Sequence, residues 1–277
     1  MKELEVTNDY VFKRIFGRQE NKEILKDLLI SILEIPIENI EILTDVHLDR
    51  TMVENKEGIL DIKATLNNNI TVNIEMQVRN KYNMIDRSLY YWSNLYNNSL
   101  YKGQNYARNN KTIAINILGY NIFEEGPYHE KCMITREYNG EILTEDLEMY
   151  FIQIPKCTKE KIKTKLDVWI RFIGNIKEEG EQEMSYEIDE ETWNALSKAK
   201  KILNDLNADP EERRIAELRE KAIATEIMSL AGAKEEGIEE GAKKRSLEIA
   251  KKLKQMGMNI EDIKKATGLT KEEIEKL

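Results

Sequence analysis

A chain of 277 residues, 41% hydrophobic and 34% charged, suits one domain plus substantial extra material, or two modest domains. Its 42 Lys and Arg against 51 Asp and Glu give a net charge of −9, which excludes a uniformly basic nucleic-acid coat but not a local basic groove. The polar opening MKELEVTNDY, no apolar run near the ~18 residues of a membrane span, two isolated cysteines (Cys132, Cys157) and two histidines (His47, His129) predict a reduced, cytoplasmic protein. They leave little room for a membrane partner, a disulfide framework, a His-built zinc site or a His-based triad.

The elements divide into three zones. Residues 1–155 mix helix and strand patterns, residues 156–225 lose the strand signal, and residues 226–277 read as a helical tail. Asp9 and Lys13 stand one helical turn apart. Residues 22–33 carry a helical stripe (Ile24, Leu25, Leu28, Leu29, Ile32, Leu33) that Pro36 ends. Residues 41–48, 59–66 and 70–78 alternate as strands. Residues 82–100 form a helix with the apolar stripe Ile85, Leu89, Trp92 and Tyr96, and residues 111–118 form a buried strand. Asn139-Gly140 turns a hairpin between strands near 130–138 and 147–154. Helix, three strands, helix and strand, then a hairpin, predict a mixed sheet with helices packed on it.

The chemistry concentrates in residues 59–78, ILDIKATLNNNITVNIEMQV. Strand side chains alternate with period two, so Leu60, Ile62, Ala64 and Leu66 share one face and Asp61, Lys63 and Thr65 the other. On the second strand Ile70, Val72, Ile74, Met76 and Val78 oppose Thr71, Asn73, Glu75 and Gln77. The apolar faces must coincide. A turn at residues 67–69 that sets Leu66 opposite Ile70 then sets Asp61 opposite Glu75. Two directly opposed carboxylates are destabilising. A divalent cation with oxygen ligands relieves them, and so does Lys63 beside Asp61.

Between Glu75 and Glu124 the bases Arg79, Lys81, Arg87, Lys102, Arg108 and Lys111 face a single acid, Asp86. Tyr82, Tyr90, Tyr91, Trp92, Tyr96, Tyr101 and Tyr106 are interleaved with them, a composition suited to a nucleic-acid groove. Arg87, Tyr91, Asn94 and Asn98 form a helical stripe expected to face that cleft. His129 reads as a surface residue.

In the tail, Gly237 and Gly241 mark residues 229–245 as a marginal helix or flexible connector. Leu247, Ala250, Leu253 and Met256 form a stripe to be buried against the core or a second subunit. Asn259 with Asp262, Gly268, and Thr270 with Glu273 are helix caps. The short helices resemble a helix-turn-helix, but Glu272, Glu273 and Glu275 repel phosphates. The tail is therefore expected to pack or to mediate homo-oligomerisation.

Gly58-Ile59-Leu60-Asp61 followed by Ile74-Glu75-Met76-Gln77 resembles the PD-(D/E)XK nuclease superfamily. More closely, the chain resembles the recombination-promoting nuclease/putative transposase family. Residues 8–17, NDYVFKRIFG, are similar to that family's start, and residues 256–270 to its tail. The resemblance implies a restriction-endonuclease-like core and metal-dependent cleavage of DNA. Its metal ligands would be Asp61, Glu75 and the Met76 carbonyl, holding Mg2+, with Mn2+ or Ca2+ as substitutes. Leu60 stands where the superfamily has Pro, and Gln77 where it has Lys. Gln77 can orient a water but cannot act as a base. Lys63 then either supplies the missing charge or pairs with Asp61 or Glu75. Asp9 and Lys13 either border the metal site, as first-helix acids do in the superfamily, or form an exposed ion pair. Arg79, Lys81, Arg87 and Tyr91 are the DNA-binding candidates.

Overall fold

The computed structural model describes residues 3–43, 62–67, 69–80, 83–98, 111–157, 162–176 and 187–277. They form two compact units, Met1–Arg219 and Glu220–Leu277.

The first unit begins with helix α1 (Asp9–Phe16), whose N-cap Asn8 accepts the Tyr10 and Val11 amides through its side chain. Helix α2 (Lys22–Leu33) covers the segment expected from its stripe and ends at Glu34 in the left-handed region (φ 54°), two residues before Pro36. Six strands follow: β1 (Ile40–Ile42), β2 (Ile62–Leu66), β3 (Ile70–Gln77), β4 (Lys111–Leu118), β5 (His129–Met133) and β6 (Leu147–Gln153). Helix α3 (Met84–Asn98) lies between β3 and β4 in sequence. The strands form one mixed sheet in the order β1-β2-β3-β4-β6-β5. β1, β2 and β3 pair antiparallel, β3 pairs parallel with β4 and β4 with β6, and β5 pairs antiparallel with β6. Parallel neighbours need a crossover, and α3 lies in the one between β3 and β4. Helix, three strands, helix, strand is the expected core order. Gly140 turns the hairpin before β6 with φ +73°.

Leu66 pairs with Ile70, Ala64 with Val72 and Ile62 with Ile74, the register expected from the alternation. Asn67, at φ 49°, makes the turn. Its side chain accepts the Glu38 and Asn39 amides and donates to the Pro36 carbonyl, stitching the turn to the start of β1.

The sheet has two unlike faces. Ile62, Ala64 and Leu66, with Val72, Ile74 and Met76, and Ile113, Ile115 and Ile117, enter the main core beside α1 and α2. The short helix α4 (Ile154–Cys157) and helices α5 (Lys165–Ile173) and α6 (Glu190–Ala208) complete that layer. Buried Asp27 of α2 ties them together, accepting from Trp169 Nε1 (2.7 Å), Lys165 Nζ (2.9 Å) and Thr192 Oγ1 (3.2 Å). The opposite face has a smaller core of Met84, Ala114, Leu118, Leu147, Met149 and Phe151. The polar residues of β3 lie on that second face.

Helix α7 (Pro210–Gln255) is continuous through Gly237 and Gly241, so of the two expected forms of residues 229–245 it is the helix and not the flexible connector. Each glycine costs about 1 kcal/mol. Ala, Glu, Lys and Leu around them are strong helix formers, and propagation adds one hydrogen bond per residue once a helix is nucleated. The tail stripe also needs correction. Leu247, Ala250 and Leu253 pack within their own unit against α8 (Ile260–Thr267) and α9 (Lys271–Glu275), through Ile260, Ile263, Leu269 and Ile274. Met256 is 80% exposed. The caps form as expected: Asn259 accepts the Asp262 amide, Gly268 is left-handed, and Thr270 and Glu273 make a capping box. No helix among the described residues is long and apolar enough to cross a membrane.

Candidate active site

Glu75 sits near the C-terminal end of β3 with its side chain on the second face, 5% exposed, beside Asn116 of β4 in register. A carboxylate this deep requires a counter-charge or donors. Arg87 of α3 supplies both: its Nη2 lies 2.5 Å from Glu75 Oε1, and its guanidinium carbon is 5.7 Å from the centre of the Tyr91 ring. Next to it, Ser88 Oγ is 2.8 Å from the Met84 carbonyl and 2.9 Å from Asn116 Oδ1, one proton between two acceptors. Asn116 Nδ2 donates to the Tyr150 carbonyl at 3.2 Å. One turn on, Trp92 Nε1 donates to the Thr112 carbonyl at 2.9 Å.

The stripe assigned to α3 therefore requires correction at Ile85 and Leu89, while Trp92 and Tyr96 turn inward as expected. Met84, Ser88 and Trp92, with Arg87 and Tyr91 beside them, face the sheet, while Ile85 and Leu89 are 46% and 45% exposed. The sheet presents a carboxylate, an amide oxygen and a carbonyl to this helix, and buried acceptors left without donors cost more than two exposed aliphatic side chains. Donors on the helix decide which side faces inward. Arg87 and Tyr91 do lie on the inner side, as their stripe implied, whereas Asn94 is exposed.

Tyr120 closes the site from the end of β4. The Gly119 amide donates to the Gln77 carbonyl at 2.9 Å, which brings this turn beside the end of β3. The Tyr120 hydroxyl is buried and meets no hydrogen-bonding partner among the described residues. Burial first, and then the charge of Glu75, push its pKa up to about 12, with Arg87 opposing. Sequence reasoning missed Asn116, Ser88 and Tyr120. Asn116 did leave a signal, as a polar residue inside the buried run of β4.

The other candidates are distributed as follows. Asp61, Lys81 and Tyr82 lie outside the described residues. Gln77 shares the face of Glu75, and its Nε2 donates to the Arg79 carbonyl at 3.0 Å. Lys63 is exposed and in register with Asn73, and Arg79 is exposed. Since the Gln77 carbonyl points to the β4 side, strand alternation turns the Met76 carbonyl to the β2 edge, past the Ile62–Ile74 pair. Asp9 Oδ2 accepts from Arg219 Nε at 2.9 Å. Lys13 is buried, and a Cβ added at Gly17 would lie 2.9 Å from Lys13 Cγ and 3.3 Å from Ile62 Cγ1, so the lysine stem runs beside the start of β2. His129 is half-buried and stacks on Tyr150 with ring centres 5.7 Å apart; burial pulls its pKa down.

No three His, Cys, Asp or Glu side chains gather as a metal-binding set among the described residues. The donors that are described, a buried carboxylate (Glu75) and a backbone carbonyl (Met76) turned to the same end of the β2–β3 hairpin, are hard oxygen ligands of the kind Mg2+ and Ca2+ prefer.

Comparison with known proteins agrees with this architecture. Neither the curated proteins nor the solved structures contain a match to the chain. The family model for the PD-(D/E)XK nuclease family transposases matches residues 6–233, which include the whole sheet, α3 and Glu75. With that match over most of its length and a mixed sheet in the corresponding order, the chain belongs to the PD-(D/E)XK nuclease family transposases.

Proposed function

We propose that the protein is a metal-dependent DNA endonuclease of the recombination-promoting, transposase-like type. The observation that carries this is Glu75: a carboxylate buried on the polar face of the central hairpin, in a family whose members are nucleases. Asp61, Glu75 and the Met76 carbonyl would hold Mg2+, with Mn2+ or Ca2+ as substitutes. When bound, the cation lowers the pKa of a water and neutralises phosphate oxygens. The chain's own residues do the rest. Glu75 holds the cation, Gln77 orients the attacking water by hydrogen bonding, and Lys63 or Lys13 contributes positive charge in place of the superfamily lysine. Arg79, Lys81, Arg87 and Tyr91 form the DNA-contacting surface, and the tail unit joins copies of the chain. The reduced cysteines fit a cytoplasmic protein.

Plasmid nicking tests this reading. Purified protein is expected to nick DNA with Mg2+ and not with chelator, and Asp61→Ala and Glu75→Gln are each expected to abolish nicking. Wild-type nicking by Glu75→Gln would sink the assignment. A second reading, a DNA-binding protein that keeps the fold with little catalysis, is favoured by Gln77 in the lysine position. DNA binding without nicking under any of the three cations would select it.

A further inference from the structure

Glu75 obtains its counter-charge from α3, the helix that the basic, aromatic segment encodes. The Arg87 guanidinium engages Glu75 Oε1 at 2.5 Å, in the pocket where a carboxylate-bound cation would sit. Two positive groups on one buried carboxylate repel strongly, because the surroundings screen them poorly. Arg87 is also placed to leave. Its side chain is one-quarter exposed, and the guanidinium already lies over the Tyr91 ring, 5.7 Å from its centre, an aromatic face that supports its charge when Glu75 is taken by a cation. From there a planar guanidinium can pair with a phosphate, which a lysine matches less well.

We propose that Arg87 is a displaceable internal counter-ion: it neutralises Glu75 until a divalent cation takes that carboxylate, then turns to a phosphate of the DNA. This rests on the assignment of Glu75 as a metal ligand. Without the cation, the Arg87 charge offsets that of Glu75 and the pair offers DNA little net charge. With it, the released guanidinium and the cation both draw in the phosphodiester. Cation and DNA binding are then linked, and linkage of binding free energies is reciprocal. The same residue that weakens cation binding in the absence of DNA strengthens it in its presence.

Calorimetric titration of the full-length chain with Ca2+, beside DNA anisotropy with and without Ca2+, tests the proposal. Arg87→Met is expected to bind Ca2+ about tenfold more tightly than wild type, within the usual span of coupled sites. Ca2+ is expected to raise the DNA affinity of wild type and to lose most of that effect in Arg87→Met. Equal or weaker Ca2+ binding by Arg87→Met overturns the proposal. Glu75→Gln separates this from failure of the underlying assignment. If it binds Ca2+ as wild type does, Glu75 is no ligand; if it loses Ca2+ while Arg87→Met is unchanged, Glu75 stands and the counter-ion role falls. Should Arg87→Met not fold, Arg87→Lys decides. Its less well matched charge should still tighten Ca2+ binding, by a smaller factor, and an affinity equal to or weaker than wild type overturns the proposal.

Discussion

Glu75 and Gln77 are two residues apart on one face of β3, but their surroundings differ. Glu75 is buried against Arg87, while Gln77 sits at the half-exposed end of the strand and spends its amide N–H on the Arg79 carbonyl. Its side-chain oxygen is the group that can orient a water. Gln77→Ala is expected to lower kcat about tenfold, the worth of one hydrogen bond of about 1.4 kcal/mol, with DNA affinity nearly unchanged. Gln77→Lys, which keeps a donor for the Arg79 carbonyl, is expected to retain activity in the same single-turnover assay. Tyr120 allows a test of stability. Its buried hydroxyl finds no partner among the described residues, so Tyr120→Phe removes a desolvation cost and is expected to stabilise the protein by about 1 kcal/mol in urea denaturation. Lower stability would show that the hydroxyl is satisfied by water. Period-two alternation made Glu75 and Gln77 legible in the sequence. Arg87 and Tyr91 emerged from a helical stripe, but the partner of Arg87 did not, because no local pattern encodes which strand residue a helix will meet. Tyr120 was illegible for the same reason: a turn, not a period, delivers it.

At the scale of elements, α2, β3 and β4 were readable because apolar periodicity and burial coincide there. Helix α3 was misread because its inward face is set by hydrogen bonding. The contrast is measurable. Ile85→Glu and Leu89→Glu are expected to change stability by no more than about 0.5 kcal/mol, whereas Met84→Ala is expected to cost about 2–3 kcal/mol. The reverse order in chemical denaturation would restore the apolar-stripe orientation. Strands β4, β5 and β6 share a second ionic feature. Glu148 is buried between Lys111 and Lys131, each with Nζ 2.7 Å from its Oε1. Burial alone raises its pKa, but the hydrogen bonds and charges of the two lysines outweigh burial and hold it below the ordinary glutamate range. A folded-state pKa below the unfolded one gives stability that is present above about pH 4.3 and lost as pH falls through the folded value. Wild type is therefore expected to exceed Glu148→Gln in stability at pH 6, with the gap closing as pH falls below about 4.3 and through the lower folded-state value.

At the scale of the whole chain, the two units carry separate cores. The expectation that the tail needs the nuclease core or a partner to bury its stripe gave way because α8 and α9 supply Ile263, Leu269 and Ile274 to cover Leu247, Ala250 and Leu253. The capping residues of those helices were legible; their mutual packing was not, since each is too short to show a period. Lys254 strengthens the unit by donating to the Ile274 and Glu275 carbonyls at the end of α9. Ile263→Asp buries a charge in a small core and is expected to abolish the tail's thermal transition while leaving that of residues 1–219 in place. A common shift of both transitions in calorimetry would show that the two units unfold as one.

The crossover from β3 through α3 to β4 also leads to an expected order of assembly. Glu75, Gln77, Arg87, Ser88, Asn116 and Tyr120 all belong to that one stretch of chain, whereas Asp27 and its partners Trp169 and Thr192 are drawn from distant parts of the sequence. Closing a short loop costs less entropy than closing a long one. The polar pocket can thus form in the folding nucleus, before the helices at the back of the sheet dock. Destabilising changes in the crossover's own core, such as Met84→Ala or Leu118→Ala, would then slow folding, while losses at Trp169 in the opposite core would mainly hasten unfolding. A chain that assembled this pocket first would expose it while the rest is still closing, and the Arg87–Glu75 pair would set a positive charge against the buried carboxylate in the interval.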